Sequence, residues 1–123
     1  MAESGGGSAL GPLEAEVMAV LWDADAPVSV REVEQRLNAG RAAPLAYTTV
    51  MTVLSRLAGK QILIRQPQGR GFAYTSAVAD TAEIAVRGVL AEFGDAALAR
   101  FVDRVELDPG LRARLRKLMR GSS

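Results

Sequence analysis

Thr48, Thr49, Thr52, Ser55, Arg56 and Gly59 interleave with Val50, Val53, Leu54 and Leu57 in one short stretch. Projected at about 100° per residue, the two sets fall on opposite faces of a helix. The chemistry available on the polar face is hydrogen bonding and charge. A hydroxyl without an adjacent base is not an activated nucleophile, and the 123-residue chain contains neither histidine nor cysteine. Surface helices normally expose Glu, Lys or Gln, whereas β-branched threonines lower helix propensity. Short hydroxyl and methyl groups do let a helix lie deep in the major groove of DNA, bonding phosphates or base edges and meeting thymine methyls. Arg56 and Lys60 then reach flanking phosphates, and Tyr47 opens the helix with a phenolic hydroxyl. The plain alternative is a tolerant solvent face on which threonines have accumulated.

These residues stand in a basic stretch that the formal net charge of +1 conceals. Up to Ala39, seven acids face two arginines, a net of −5. From Gly40 to Thr75, Arg41, Arg56, Lys60, Arg65 and Arg70 have no acid among them, a net of +5, and the remainder carries +1. A phosphate-facing surface needs such a patch. The absence of cysteine and histidine removes disulfides, sulfur-built metal sites and the commonest general base, so no metal or other cofactor is expected. Glu14 and Glu16 are two apart and point to different faces, while Glu32 has a capping role, so a catalytic carboxylate pair is not expected and an enzyme is disfavoured. No apolar run approaches the ~18 residues that cross a bilayer, and the Gly- and Ser-rich start lacks the regions of a secretory signal. The chain is therefore expected in the cytoplasm, without membrane insertion.

The elements that must position the ridge follow from local signals. Residues 1–9 have nothing to bury and are expected to form a disordered arm. A first helix begins near Pro12, with Leu13, Val17, Val20 and Leu21 as its stripe and Trp22 at its close. After the turn Asp23–Pro27, Ser29 and Glu32 form a capping box, with Val28 placed to staple onto Val33, and a second helix carries Val30, Val33 and Leu37 inward before stopping near Asn38–Gly40. The third helix runs from about Ala46 to Lys60. Strand-type segments at Ile62–Gln66 and Phe72–Ser76 flank Pro67–Gly71, a hairpin turn by composition, in which Gly69 and Gly71 direct Arg70 outward to a phosphate or the minor groove. An ordinary hairpin with an exposed arginine fits that turn equally well. Trp22, Phe72 and Tyr74 are expected to pack. Helix, helix, helix, hairpin is the winged helix-turn-helix order, over residues 10–78.

Residues 79–123 return to helices. Asp80 with Glu83 caps one that carries Ile84, Leu90 and Phe93, and Gly94 interrupts it. Asp95 restarts another bearing Leu98, Phe101, Val102 and Val105, and Asp108-Pro109 starts a last one bearing Leu111, Leu115, Leu118 and Met119. Short helices with this much to bury lack partners within one chain, and a single winged helix makes too few phosphate contacts for tight binding. Both point to a homodimer. The expected fold is mainly α with a small β-hairpin, a winged helix-turn-helix domain plus a C-terminal helical dimerisation segment.

The stretches Leu10–Trp22, Val30–Val33 and Ala46–Leu57, with Phe101–Val105, together resemble the penicillinase and methicillin-resistance repressor family, particularly its actinobacterial members, over nearly the whole chain. The resemblance implies a dimer that binds a pseudo-palindromic operator and represses β-lactamase or related genes, with Thr48, Thr49, Thr52 and Arg56 on the recognition surface and Arg70 in the wing. It also implies release through a protease linked to a membrane-bound β-lactam sensor, which in relatives cuts between Asn and Phe. Here the matching pair is Arg100-Phe101, a departure from that pattern. A copper-responsive branch relies on C-terminal cysteines, and this chain has none. The rival to a DNA reader is a winged-helix module that binds protein through its third helix. That reading predicts acids or large apolar groups on the outer face, where only Met51 stands. A small-molecule sensor would need a polar constellation that the sequence does not mark.

Overall fold

The computed structural model describes residues 10–121, so the expected arm over residues 1–9 lies outside the described residues. The described chain contains α1 (Pro12–Asp23), β1 (Val28–Ser29), α2 (Val30–Asn38), α3 (Tyr47–Gly59), β2 (Leu63–Gln68), β3 (Gly71–Ser76), α4 (Thr81–Phe93), α5 (Asp95–Leu107) and α6 (Pro109–Gly121). It divides into two compact units, one ending at Ala85 and one beginning at Val86.

Local chemistry fixes the helix starts of the first unit. Pro12 occupies the first turn of α1, and the Glu14 carboxylate accepts a 3.0 Å hydrogen bond from the Gly11 N–H. The capping box at α2 is complete: Ser29 Oγ accepts from the Glu32 N–H and Glu32 Oε1 from the Ser29 N–H, both at 3.1 Å. Val17, Met18 and Leu21 of α1, Val33 and Leu37 of α2, and Val50, Val53, Leu54 and Leu57 of α3 close one core with Val28, Tyr74, Val78 and Ile84. Met18, fully buried beside Val17, was not part of the expected stripe.

The sheet is larger than a hairpin. Its order is β1-β3-β2, all antiparallel, with Val28 opposite Tyr74 and Leu63 opposite Ser76. Two residues before α2 thus pair with β3, a long-range contact that no local pattern announces. Pro67 lies in β2 opposite Phe72, not in the turn, and the turn shrinks to Gly69 and Arg70. β2 is an edge strand, where a missing N–H can face away from the ladder. The hairpin extends past the core. Phe72 is consequently 44% exposed and not a packing residue, and the Arg65 guanidinium lies 4.3 Å from its ring centroid. Tyr74, two residues on, is buried as expected, and Trp22 packs with its Nε1–H donating to Ser76 Oγ and to the Val78 carbonyl, both at 3.0 Å.

The second unit lacks comparable burial. Neither α5 nor α6 contains a buried residue. Gly94, at φ +56, separates α4 from α5, and Asp108 Oδ1 accepts the Leu111 N–H at 3.0 Å to start α6. Leu111 and Leu115 are half-buried, and α5 and α6 pack together.

Candidate nucleic-acid interface

Two anchors hold α3 with its polar face outward. At its start, the Asn38 side chain closes the preceding loop: Oδ1 accepts the Leu45 N–H at 2.8 Å and Nδ2 donates to the Leu45 carbonyl at 3.1 Å. At its end, the Gln61 N–H donates to the Ala58 carbonyl and the Ile62 N–H to the Leu57 carbonyl, both at 3.0 Å. With Gln61 at φ 64, this is a Schellman closure, and it leads the chain straight into β2. Between these anchors Val50, Val53, Leu54 and Leu57 are buried, while Thr48, Thr49, Thr52, Ser55, Arg56 and Gly59 are all exposed. The hydroxyl-bearing ridge therefore faces solvent along the whole helix.

The start of α3 carries a further feature that no sequence motif announced. Ala46 occupies the N-cap, so no side chain caps the helix, and its first turn has no acid. The open N–H groups and the positive end of the helix dipole are left for an anion. Tyr47 stands there, 40% exposed, with the Arg31 guanidinium of α2 at 5.7 Å from its ring centroid. Arg31 joins the site through packing of α2 on α3, a relation that only the helix-turn-helix geometry could have signalled.

The basic stretch is divided by the acids of α1. Arg41 pairs with Glu16 at 2.7 Å, and Lys60 with Glu14 at 3.4 Å. Lys60 is thus drawn back to α1, while Arg56 and Arg70 are exposed and have no carboxylate partner among the described residues. Arg70 occupies the second central position of the hairpin turn, after Gly69 at φ +61, as a type II′ turn requires. Tyr47, Thr48, Thr49, Thr52, Ser55 and Arg56 share one helix. Arg70 sits on the separate wing.

The residues expected to join two copies lie on the helices from α4 onward. Leu90, Phe93, Leu98, Phe101, Val102 and Leu118 are all exposed, Phe93 at 55% and Phe101 at 45%. Leu111 and Leu115 already lean on their own chain. Val89, Phe93, Ala96, Ala97 and Arg100 line a shallow apolar groove. No helix among the described residues is long and apolar enough to cross a membrane.

Comparisons with known proteins identify a family. The family model described as penicillinase repressor matches residues 10–121. The transcriptional regulator BlaI from two strains of Mycobacterium tuberculosis is 41% identical, over 80% of this chain and 75% of the relative. The solution structure of the DNA-binding domain of the repressor BlaI matches 61% of this chain and 88% of its own, at 28% identity and a TM-score of 0.52.

Proposed function

Because this chain belongs to the penicillinase repressor family, we propose that it acts in the cytoplasm as a homodimeric repressor, binding a pseudo-palindromic operator of β-lactamase or related genes. The observation that carries the reading is the exposed ridge Thr48, Thr49, Thr52, Ser55 and Arg56, held outward by a fully packed inner face. In this reading the ridge enters the major groove, the uncapped start of α3 and Tyr47 bind a phosphate, and Arg70 follows the backbone or minor groove. A second copy, joined through the apolar residues of α4, α5 and α6, supplies the other half-site. Separating the copies halves the grip on DNA and releases the operator. A protease linked to a membrane sensor would do so by cutting α5, in which Arg100 and Phe101 are both exposed.

The test is selection of genomic fragments by the full chain, followed by gel shifts at moderate salt with the recovered operator. Arg56→Ala and Thr52→Val should each weaken specific binding by about 1–3 kcal/mol, roughly 5- to 150-fold, while circular dichroism shows a folded protein. Unchanged affinity in both variants would remove α3 from the reading role.

A further inference from the structure

α6 has a charge pattern that DNA reading by α3 and the wing does not use. Arg112, Arg114, Arg116, Lys117 and Arg120 are five cations in thirteen residues, with no acid among them. Projected around the helix they span an arc of about 200°, while Leu111 and Leu115, on the opposite side, are the two half-buried positions. The cationic arc is the solvent face. Arg and Lys are good helix formers, and Arg120 suits the last turn, but the clustering of like charge is not favoured. Arg112, Arg116 and Arg120 repeat at i, i+4, a like-charge row that weakens a helix, and Arg112 and Arg114 stand in the half nearer the positive end of its dipole. The neighbouring α5 shows the ordinary mixture, with both signs present and an Arg100–Asp103 pair at 3.3 Å. Arg112 donates to the Glu106 carbonyl at 2.6 Å, but Arg114, Arg116 and Lys117 have no carboxylate partner among the described residues.

We infer that the outer face of α6 is a second duplex-binding surface, which grips DNA backbone phosphates without reading sequence, in addition to the contacts of α3 and the wing. The inference rests on the repressor reading, because that reading supplies the duplex. Four of the five cations are arginines, whose planar forks suit phosphate oxygens. Tethered to a winged helix already on DNA, even a weak phosphate-binding face acts at high effective concentration. A membrane surface fits less well, since an interfacial helix inserts a continuous apolar face, whereas Leu111 and Leu115 are half-buried on the chain itself and only Leu118 and Met119 of the large apolar residues of α6 are exposed.

The experiment uses the full chain and the variant Arg114→Gln/Arg116→Gln/Lys117→Gln. Binding is followed by fluorescence anisotropy across a salt series, on a mixed-sequence duplex and on the selected operator. The slope of log affinity against log salt should become shallower by about 0.9 for each phosphate that the variant no longer neutralises, on both duplexes. Arg114→Lys/Arg116→Lys, which keeps the charge, should retain the wild-type slope. Equal slopes for wild type and the glutamine variant overturn the inference. So does a variant that sediments as a smaller species than the wild type, which would place these cations between copies of the chain. Wild-type pelleting with phosphatidylglycerol vesicles in salt that abolishes its binding to the mixed duplex would assign the face to a membrane instead. Failure of the wild type to select any operator would sink the repressor reading, whereas a slope change on the mixed duplex would still stand.

Discussion

Asn38 and Gln61 show how single residues hold the reading helix from both ends. The Asn38 amide replaces two backbone partners of Leu45 in a partly buried loop. Asn38→Ala leaves that N–H and carbonyl unsatisfied and should lower unfolding free energy by about 1–3 kcal/mol, measured by urea denaturation, with operator binding weakened as α3 loses its fixed start. Gln61 carries the opposite signature. It occupies a left-handed position where an L side chain costs about 1–2 kcal/mol and glycine costs nothing. Gln61→Gly should therefore stabilise the protein by about 0.5–1 kcal/mol, after the greater chain entropy of glycine in the unfolded state is subtracted. A fall in the urea midpoint on that substitution would show that the interactions of the Gln61 side chain outweigh the strain of its backbone.

At the scale of elements, the start of α3 separates stability from binding. Ala46 is a poor N-cap by any stability criterion. Ala46→Asp supplies the missing acceptor and should raise unfolding free energy by about 0.5–2 kcal/mol. The same carboxylate repels a phosphate at that end, so affinity for the operator should fall while the thermal midpoint rises. A variant that melts higher and binds equally well would show that no phosphate docks there. The wing offers a second test. Gly69 at φ +61 starts its two-residue turn, and Gly69→Ala should cost about 1–2 kcal/mol and displace Arg70, giving weaker gel-shift affinity with α3 intact.

At the scale of the whole molecule, the two units face different problems. The first closes a core around Val17, Met18, Val33, Leu54 and Leu57, all fully buried, whereas α5 and α6 leave Leu98, Phe101, Val102, Leu118 and Met119 exposed. Phe101→Asp should convert the protein to monomers in sedimentation equilibrium and weaken operator binding, with the winged helix still folded. An intact dimer would move the interface away from α5. Much of this architecture is written locally: the capping box at Ser29, Pro12 and Pro109 at helix starts, and the alternation of Val50, Val53, Leu54 and Leu57 with threonines are short-range signals that set helix position and facing. What local patterns left open depends on residues far along the chain. Lys60 meets Glu14 across 46 positions and Arg41 meets Glu16 across 25, so which cations pair with an acid was decided by how α1 lies beside the end of α3 and the loop between α2 and α3. Phe72 is exposed and Pro67 is a strand residue because the hairpin outruns the core, and β1 exists only because β3 passes beside it. Periodicity and capping are energies of neighbouring residues, so sequence alone determined the helices and the outward ridge. Charge pairing and strand pairing are energies of residues brought together, and only the tertiary structure decided those.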